Sequence, residues 1–114
     1  MEIKTKDYSV CYNQSTATVN CQGTLRLSGM EEYTPIIQLL HRVLEQQPPT
    51  VTLNLQDLQF LNSSGINVLS KFVIKVRQKK DVSMVVQGSK QIPWQGKSLK
   101  NFQRLMPNLE LEWA

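Results

Sequence analysis

The sequence predicts one α/β domain, with a mainly parallel sheet, an antiparallel hairpin at its N-terminal edge and helices packed on the sheet. The chain has 114 residues, of which 40% are hydrophobic, and single domains typically have about 100–150 residues. From residue 50 onward, strand-type segments alternate with helical apolar stripes. Strands separated by helices pair mainly in parallel through right-handed crossovers. We therefore expect residues 1–114 to form a single domain.

The first element is a predicted pair of antiparallel strands between Tyr8 and Leu27. This segment alternates loosely and is rich in Val, Thr, Tyr and Cys, residues that favour strands. A turn centred on Gln14-Ser15 would place Cys11 opposite Thr18, so we expect no disulfide between Cys11 and Cys21. The first strand would be an exposed edge, which leaves weak self-association into a homodimer open.

A first helix follows the Ser28-Gly29 break and ends before Pro48-Pro49. Ser28 is the expected N-cap, and Glu31 three residues later completes a capping box. The helix is indicated by one apolar stripe, formed by Tyr33, Ile36, Ile37, Leu40, Val43 and Leu44.

The remaining elements give the predicted order β-β-α-β-α-β-α-β. They are a strand at residues 50–55, a helix after the break at residues 62–65, a strand at residues 82–86, a helix from Ser98 to Met106 and a strand at residues 109–113. Between the last two helices, residues 88–96 form an irregular loop that contains Trp94, either a stacking surface or a packing anchor.

The net charge of +4 is distributed unevenly along the chain. Residues 1–70 carry four basic and six acidic groups, whereas residues 71–114 carry nine basic and three acidic groups. The excess predicts either an anionic partner or modification near the second half, or simply solvated lysines on helix faces. Because the basic residues do not share one face, we expect no nucleic-acid partner.

Most catalytic constellations are absent from the sequence. The single histidine, His41, lies mid-helix, and two cysteines with one histidine give no metal-ligand spacing. No glycine-rich loop matches a phosphate-binding pattern. We therefore expect a protein that is not an enzyme and has no metal or cofactor. No apolar run reaches the length of about 18–20 residues that a membrane span needs, and the N-terminus lacks a secretory pattern, so we expect no membrane insertion and a cytoplasmic location.

The segment Leu61-Asn62-Ser63-Ser64-Gly65-Ile66 lies where a strand leads into a helix at the carboxyl edge of the sheet. Two interpretations remain open from the residues alone. In the first, Asn62, Ser63 or Ser64 is a helix cap. In the second, a phosphorylated serine here would place negative charge where free N–H groups and the helix dipole favour it.

The segment from Leu53 to Ile66 resembles the signature of STAS domains, especially bacterial anti-sigma factor antagonists. In that family a strand and a D-L-x-F turn lead to Asp-Ser-Ser/Thr-Gly at the start of the second helix. The resemblance implies the same fold over residues 1–114, and a phosphoprotein that switches partners in bacterial signal transduction and transcription regulation. It implies Ser63 as the phosphoacceptor, with Ser64 as second choice, and an anti-sigma factor-type serine kinase and a serine phosphatase as partners.

The sequence departs from the family pattern at three positions. Asn62 replaces the Asp before the acceptor, Arg26 stands where a G-x-L-D turn has its Asp, and Asn67 replaces a second Gly. These changes favour the alternative of an unphosphorylated scaffold or complex subunit that docks its partner through the same loop and second helix. The expected partner-binding residues are Arg26, Asn62, Ser63, Ser64, Gly65, Asn67 and Lys71.

Overall fold

The computed structural model describes residues Met1–Ala114 and contains six strands and three helices. In chain order the elements are β1 (Glu2–Lys4), β2 (Tyr8–Asn13), β3 (Thr18–Leu25), α1 (Gly29–Glu45), β4 (Thr50–Leu61), α2 (Ser63–Gln78), β5 (Ser83–Gly88), α3 (Gln95–Leu105) and β6 (Glu110–Trp113). The predicted α/β class is confirmed.

The strands lie in the sheet in chain order, from β1 at one edge to β6 at the other. The β1–β2 and β2–β3 pairs are antiparallel, and the remaining three pairs are parallel. Each helix links two adjacent parallel strands, and every such connection advances in the same direction across the sheet. Right-handed crossovers therefore place all three helices on one face, where α1 contacts α2 and α2 contacts α3.

The N-terminal edge differs from the prediction in its outermost strand. Residues Glu2–Lys4 form β1, which pairs with β2, so the predicted first strand lies inside the sheet. The hairpin register is also shifted, because the loop spans residues 14–17 and Ala17 takes a positive φ of 51°. Cys11 therefore lies opposite Asn20 rather than Thr18, and Cys21 lies opposite Val10. Cys21 is buried, Cys11 is half-buried, and both thiols are free.

The element boundaries that differ most from the prediction are the end of β4 and the start of α3. Strand β4 continues through Leu61, since two bulges in its pairing with β3 let Leu55, Leu58 and Leu61 all reach the core. Helix α3 begins at Gln95 rather than Ser98. The buried side chains form one cluster between the sheet and the helices. None of the helices combines the length and the apolar character that crossing a membrane requires.

Candidate functional site

The candidate site lies at the carboxyl edge of the two central parallel strands. Leu25 at the end of β3 pairs with Leu61 at the end of β4. Helices α1 and α2 begin only a few residues after these positions. The N–H group of Asn62 donates to the carbonyl of Leu25 at 3.2 Å, which joins the two chain exits. This edge is where open α/β sheets place their binding sites.

Asn62 is the N-cap of α2 and the centre of the site's hydrogen bonds. Its Oδ1 accepts from the N–H group of Gly65 at 3.0 Å and from the hydroxyl of Tyr33 at 2.7 Å. Its Nδ2 donates to the backbone carbonyl of Leu27 at 2.8 Å. One side chain therefore satisfies a free helix N–H group and also joins α1 and the loop after β3 to the start of α2.

These contacts explain why the site holds an amide at position 62. An Asp carboxylate could accept from Gly65 and Tyr33, but it has no hydrogen to donate to the carbonyl of Leu27. Two acceptor oxygens would then face each other. The amide of Asn62 therefore matches the hydrogen-bond requirements of this loop better than a carboxylate would.

Tyr33 is a member of the site that sequence reasoning assigned only to the core. Its side chain is 1% exposed, while its hydroxyl reaches the Oδ1 of Asn62. Burial raises the pKa of Tyr33 above the usual tyrosine value of 10.0. A buried tyrosine hydroxyl needs a partner. A tyrosine in the first turns of a predicted helix, near a polar strand-to-helix loop, is the signal that could have identified it.

Gly65 is required by the close packing of the first turn of α2. A Cβ atom at this position would overlap the side chain of Leu61 and would lie 2.6 Å from the hydroxyl of Tyr33. Gly65 has an ordinary helical conformation, so its role is to leave space rather than to permit an unusual backbone angle. The space that Gly65 leaves is therefore filled by Tyr33 and Leu61.

Ser63 and Ser64 stand at the first two positions of α2. Ser63 is exposed and Ser64 is half-buried. Because the side chain of Asn62 caps the helix, neither serine hydroxyl has that role. The first turn of α2 contains no acidic residue, so no carboxylate of that turn neutralises the positive end of the helix dipole.

Arg26 and Phe60 lie on the two chains that lead into the site. Arg26 follows β3, and Phe60 is the penultimate residue of β4. The guanidinium of Arg26 stacks over the ring of Phe60 at 4.5 Å from its centroid. Phe60 is 38% exposed. The pair presents a flat surface with apolar and cationic parts, and such surfaces are common in protein interfaces.

Asn67 and Lys71 extend the site along α2. Both are exposed, and they follow Ser63 at steps of four residues. Residues at this spacing share one face of a helix. The structure thus places Ser63, Asn67 and Lys71 on one exposed stripe, whereas Arg26 lies at the strand ends. The binding roles of these residues stay predictions.

The start of α3 supports β4 next to the site, through Trp94 before the helix and Gln95 at its first position. Gln95 is fully buried, and its Nε2 donates to the carbonyls of Leu55 at 2.6 Å and Leu58 at 3.2 Å. The Nε1 of Trp94 also donates to the carbonyl of Leu58, at 3.0 Å. These bonds satisfy the backbone carbonyls on either side of the first bulge of β4. Trp94 is therefore a packing anchor.

The structure contains no group of three or more His, Cys, Asp or Glu side chains that could hold a metal ion. His41, the single histidine, lies on α1, where its Nε2 is 2.6 Å from the Nζ of Lys75 on α2. This contact joins the two helices.

Comparison with known proteins identifies structural similarity without a family match. No protein-family model matches the chain. No curated protein matches it either. Among solved structures, the chain is similar to one in the crystal structure of diguanylate cyclase SiaD in complex with its activator SiaC from Pseudomonas aeruginosa. That match has a TM-score of 0.76 and 14% identity, and covers 100% of this chain and 99% of the other.

Two structures of SiaC from Pseudomonas aeruginosa also match. SiaC itself gives a TM-score of 0.68 at 14% identity, covering 98% of this chain and 92% of the other. Apo-SiaC gives 0.73 at 12% identity, with 98% and 97% covered. At these identities the similarity shows a common fold, and the match extends over nearly the full length of both proteins.

Proposed function

We propose that the chain is a non-enzymatic regulatory module that binds a protein partner through the loop at residues 62–65 and the exposed stripe of α2. The observation that carries this proposal is the position of Ser63. It is exposed at the first position of α2, next to a neighbour that already caps the helix. The hydroxyl and the adjacent stripe are therefore available to another molecule, while the loop beneath them is held by Asn62 and Tyr33.

One form of the proposal is a phosphorylation switch at Ser63, with Ser64 as the second choice. A serine kinase of the anti-sigma factor type would add the phosphate and a serine phosphatase would remove it. The uncompensated end of α2 supports this form, because a phosphate carries about −1.5 to −2 charge and is stabilised by free helix N–H groups. The domain would tolerate the phosphate, whereas a partner docked on the loop would meet new charge and bulk.

The second form is a scaffold or complex subunit that docks its partner without phosphorylation. Asn62 supports this form because it is neutral and its amide donates to the carbonyl of Leu27. The loop is therefore held without a charged residue beside Ser63. The comparison with SiaC favours it further, since SiaC is described as an activator in complex with the cyclase SiaD. Both forms place the contact on the same surface.

The test combines intact-mass measurement with binding measurements. Protein isolated from its source cells is weighed for an added phosphate, with Ser63→Ala and Ser64→Ala as matched variants. The partner captured by the wild-type chain is then titrated with Ser63→Ala and Ser63→Asp. A switch predicts a phosphate that is lost in Ser63→Ala, and affinities of Ser63→Ala and Ser63→Asp that differ by about tenfold or more.

A scaffold predicts an unmodified mass and two affinities that agree within about twofold. In either form, Asn67→Arg and Lys71→Glu should each lower the affinity for the captured partner by about tenfold, because both residues lie on the proposed surface. Lys97→Glu on α3 is the control for Lys71→Glu. Binding that is unaffected by both α2 substitutions would show that the partner uses another surface and would reject the module as proposed.

A further inference from the structure

A groove lies between α1 and α2, outside the loop at residues 62–65. Its floor and walls include the apolar side chains of Met30, Ile37, Leu40, Val68 and Phe72. Leu40, Val68 and Phe72 also belong to the buried core, whereas Met30 is 39% exposed at the groove's edge. The groove is therefore an opening from the surface toward the core.

The size of the groove suits a single large apolar side chain. It encloses about 140 Å³, similar to an engineered apolar cavity of about 150 Å³ that accommodates benzene. Met30 at its edge has a flexible thioether side chain, and methionines of this kind adapt to the shape of a bound group. The groove could thus receive one Leu, Met or Phe side chain of a partner.

The rim of the groove is cationic and has no acidic member. The remaining lining residues are His41, Lys71 and Lys75. Lys71 and Lys75 lie one helical turn apart, and the ammonium of Lys75 contacts the imidazole of His41 across the groove. No carboxylate lines the groove to neutralise the two ammonium groups. This charge is complementary to an acidic partner surface.

We propose that the groove binds an amphipathic helix of the partner, with one large apolar side chain inserted as an anchor and carboxylates placed against Lys71 and Lys75. The groove runs between two neighbouring helices, and an amphipathic helix laid into such a groove is a recurrent mode of recognition. Lys71 belongs both to the groove and to the stripe that starts at Ser63. This inference rests on the proposed protein-binding function and defines the chemistry of the partner.

The test uses synthetic peptides and the unmodified full chain labelled with ¹⁵N. The probe is an alanine-based helical peptide of about 18 residues, with leucines in one stripe and glutamates beside it. Two matched peptides replace the glutamates by glutamine or by lysine. We expect the glutamate peptide to shift the amide signals of Ile37, Leu40, Val68 and Phe72, with an affinity about tenfold above that of the glutamine peptide.

Charge reversal in the protein provides the decisive control. In the Lys71→Glu/Lys75→Glu variant, the affinity for the glutamate peptide should fall by about tenfold or more. This variant should instead bind the lysine peptide more tightly than the glutamate peptide. Lys97→Glu/Lys100→Glu on α3 makes the same change in net charge away from the groove and should leave the peptide affinity within about twofold. Thermal unfolding of each variant verifies that the fold is retained.

Three outcomes would overturn the inference. The first is that no peptide shifts the amide signals of the groove residues. The second is that the three peptides bind with equal affinity. The third is that hexanoate binds the groove as tightly as the glutamate peptide does, which would assign the groove to a free small acid. A Ser63→Ala chain that binds the glutamate peptide like the wild type supports the groove independently of phosphorylation. Failure here therefore remains distinguishable from failure of the proposed surface around Ser63.

Discussion

Helices α1 and α2 begin at the same edge of the sheet, but their first turns are built differently. At the start of α1 the side chain of Ser28 makes no capping bond, and its N–H group donates to the Glu32 carboxylate at 2.9 Å. That first turn contains both Glu31 and Glu32. The first turn of α2 contains no acid and is capped by the neutral side chain of Asn62. The positive end of α1 is therefore already compensated, whereas that of α2 is available to an anion.

The two starts also differ in how they are held. Around α1 the residues Ser28, Gly29 and Met30 are exposed. Around α2 the cap is joined to a buried tyrosine, and Gly65 is buried against it. The start of α2 is therefore held by side-chain hydrogen bonds and close packing beneath the exposed Ser63, whereas the start of α1 is exposed.

The largest expected effect comes from filling the space at Gly65. Gly65→Ala should lower the free energy of unfolding by about 2–3 kcal/mol, because the new methyl group overlaps Leu61 and approaches Tyr33. Gly96→Ala, in the first turn of α3, is the matched control, since a Cβ atom there would have no other atom within 4 Å and the φ of Gly96 is not positive. It should leave stability unchanged or raise it by up to about 1 kcal/mol. Urea unfolding measures both, and equal effects would contradict the close packing at α2.

The next effect comes from removing the cap of α2. Asn62→Ala should lower the free energy of unfolding by about 2 kcal/mol, because it leaves the N–H group of Gly65 and the carbonyl of Leu27 without a side-chain partner and leaves the Tyr33 hydroxyl only its 3.4 Å bond to the carbonyl of Leu25. Ser28→Ala should change it by less than about 0.5 kcal/mol, since the Ser28 side chain caps nothing.

Asn62→Asp separates the acceptor and donor roles of this residue. It keeps the bonds from Gly65 and Tyr33 and loses the one to Leu27, so in about 1 M salt its loss of stability should lie between those of Asn62→Ala and Ser28→Ala. At low salt the new carboxylate at the positive end of α2 should offset part of this loss. An aspartate variant as stable as the wild type in about 1 M salt would show that the amide donor is unimportant.

A smaller effect is expected for the tyrosine that supports the cap. Tyr33→Phe should lower the free energy of unfolding by about 1 kcal/mol, because Oδ1 of Asn62 retains only the bond from Gly65. Since burial raises the pKa of Tyr33 in the folded protein, its hydroxyl loses its proton at a lower pH in the unfolded chain than in the folded one. Wild-type stability should therefore fall above the usual tyrosine value of 10.0, and the variant should lack that part of the fall. Urea unfolding at pH 8 and pH 11 tests this, and identical pH profiles would contradict it.

The sequence predicted the helices and central strands because their apolar periods and terminal breaks are local signals. The short β1 was missed because its three residues carry no pattern of their own and are fixed only by pairing with β2. The extension of β4 was missed for a similar reason. Its two bulges change the spacing of the buried residues from two to three, first between Leu55 and Leu58 and then between Leu58 and Leu61.

The candidate site was predicted in part. The segment at residues 62–65 was located correctly at the start of α2, because the polar break and the resemblance both mark it. Tyr33, 29 residues away in sequence, was not assigned to it, because its contact with Asn62 depends on how α1 lies against α2. The choice among the three candidate caps also required the structure, since all three residues are of types that cap well.

The smallest expected effect tests the charge difference between the two helix starts directly. Ser63→Asp should raise the free energy of unfolding by about 0.5 kcal/mol at low salt, because it supplies the acid that the first turn of α2 lacks. The gain should shrink in about 1 M salt, where the Debye length is about 3 Å. Glu31→Gln should produce a loss of similar size or less in α1, where Glu32 still compensates the helix end. Urea unfolding at two salt concentrations measures both variants. A salt-independent loss of stability in Ser63→Asp would mean that this helix start does not accommodate negative charge, and it would remove the physical support for a phosphate at Ser63 while leaving the docking surface intact.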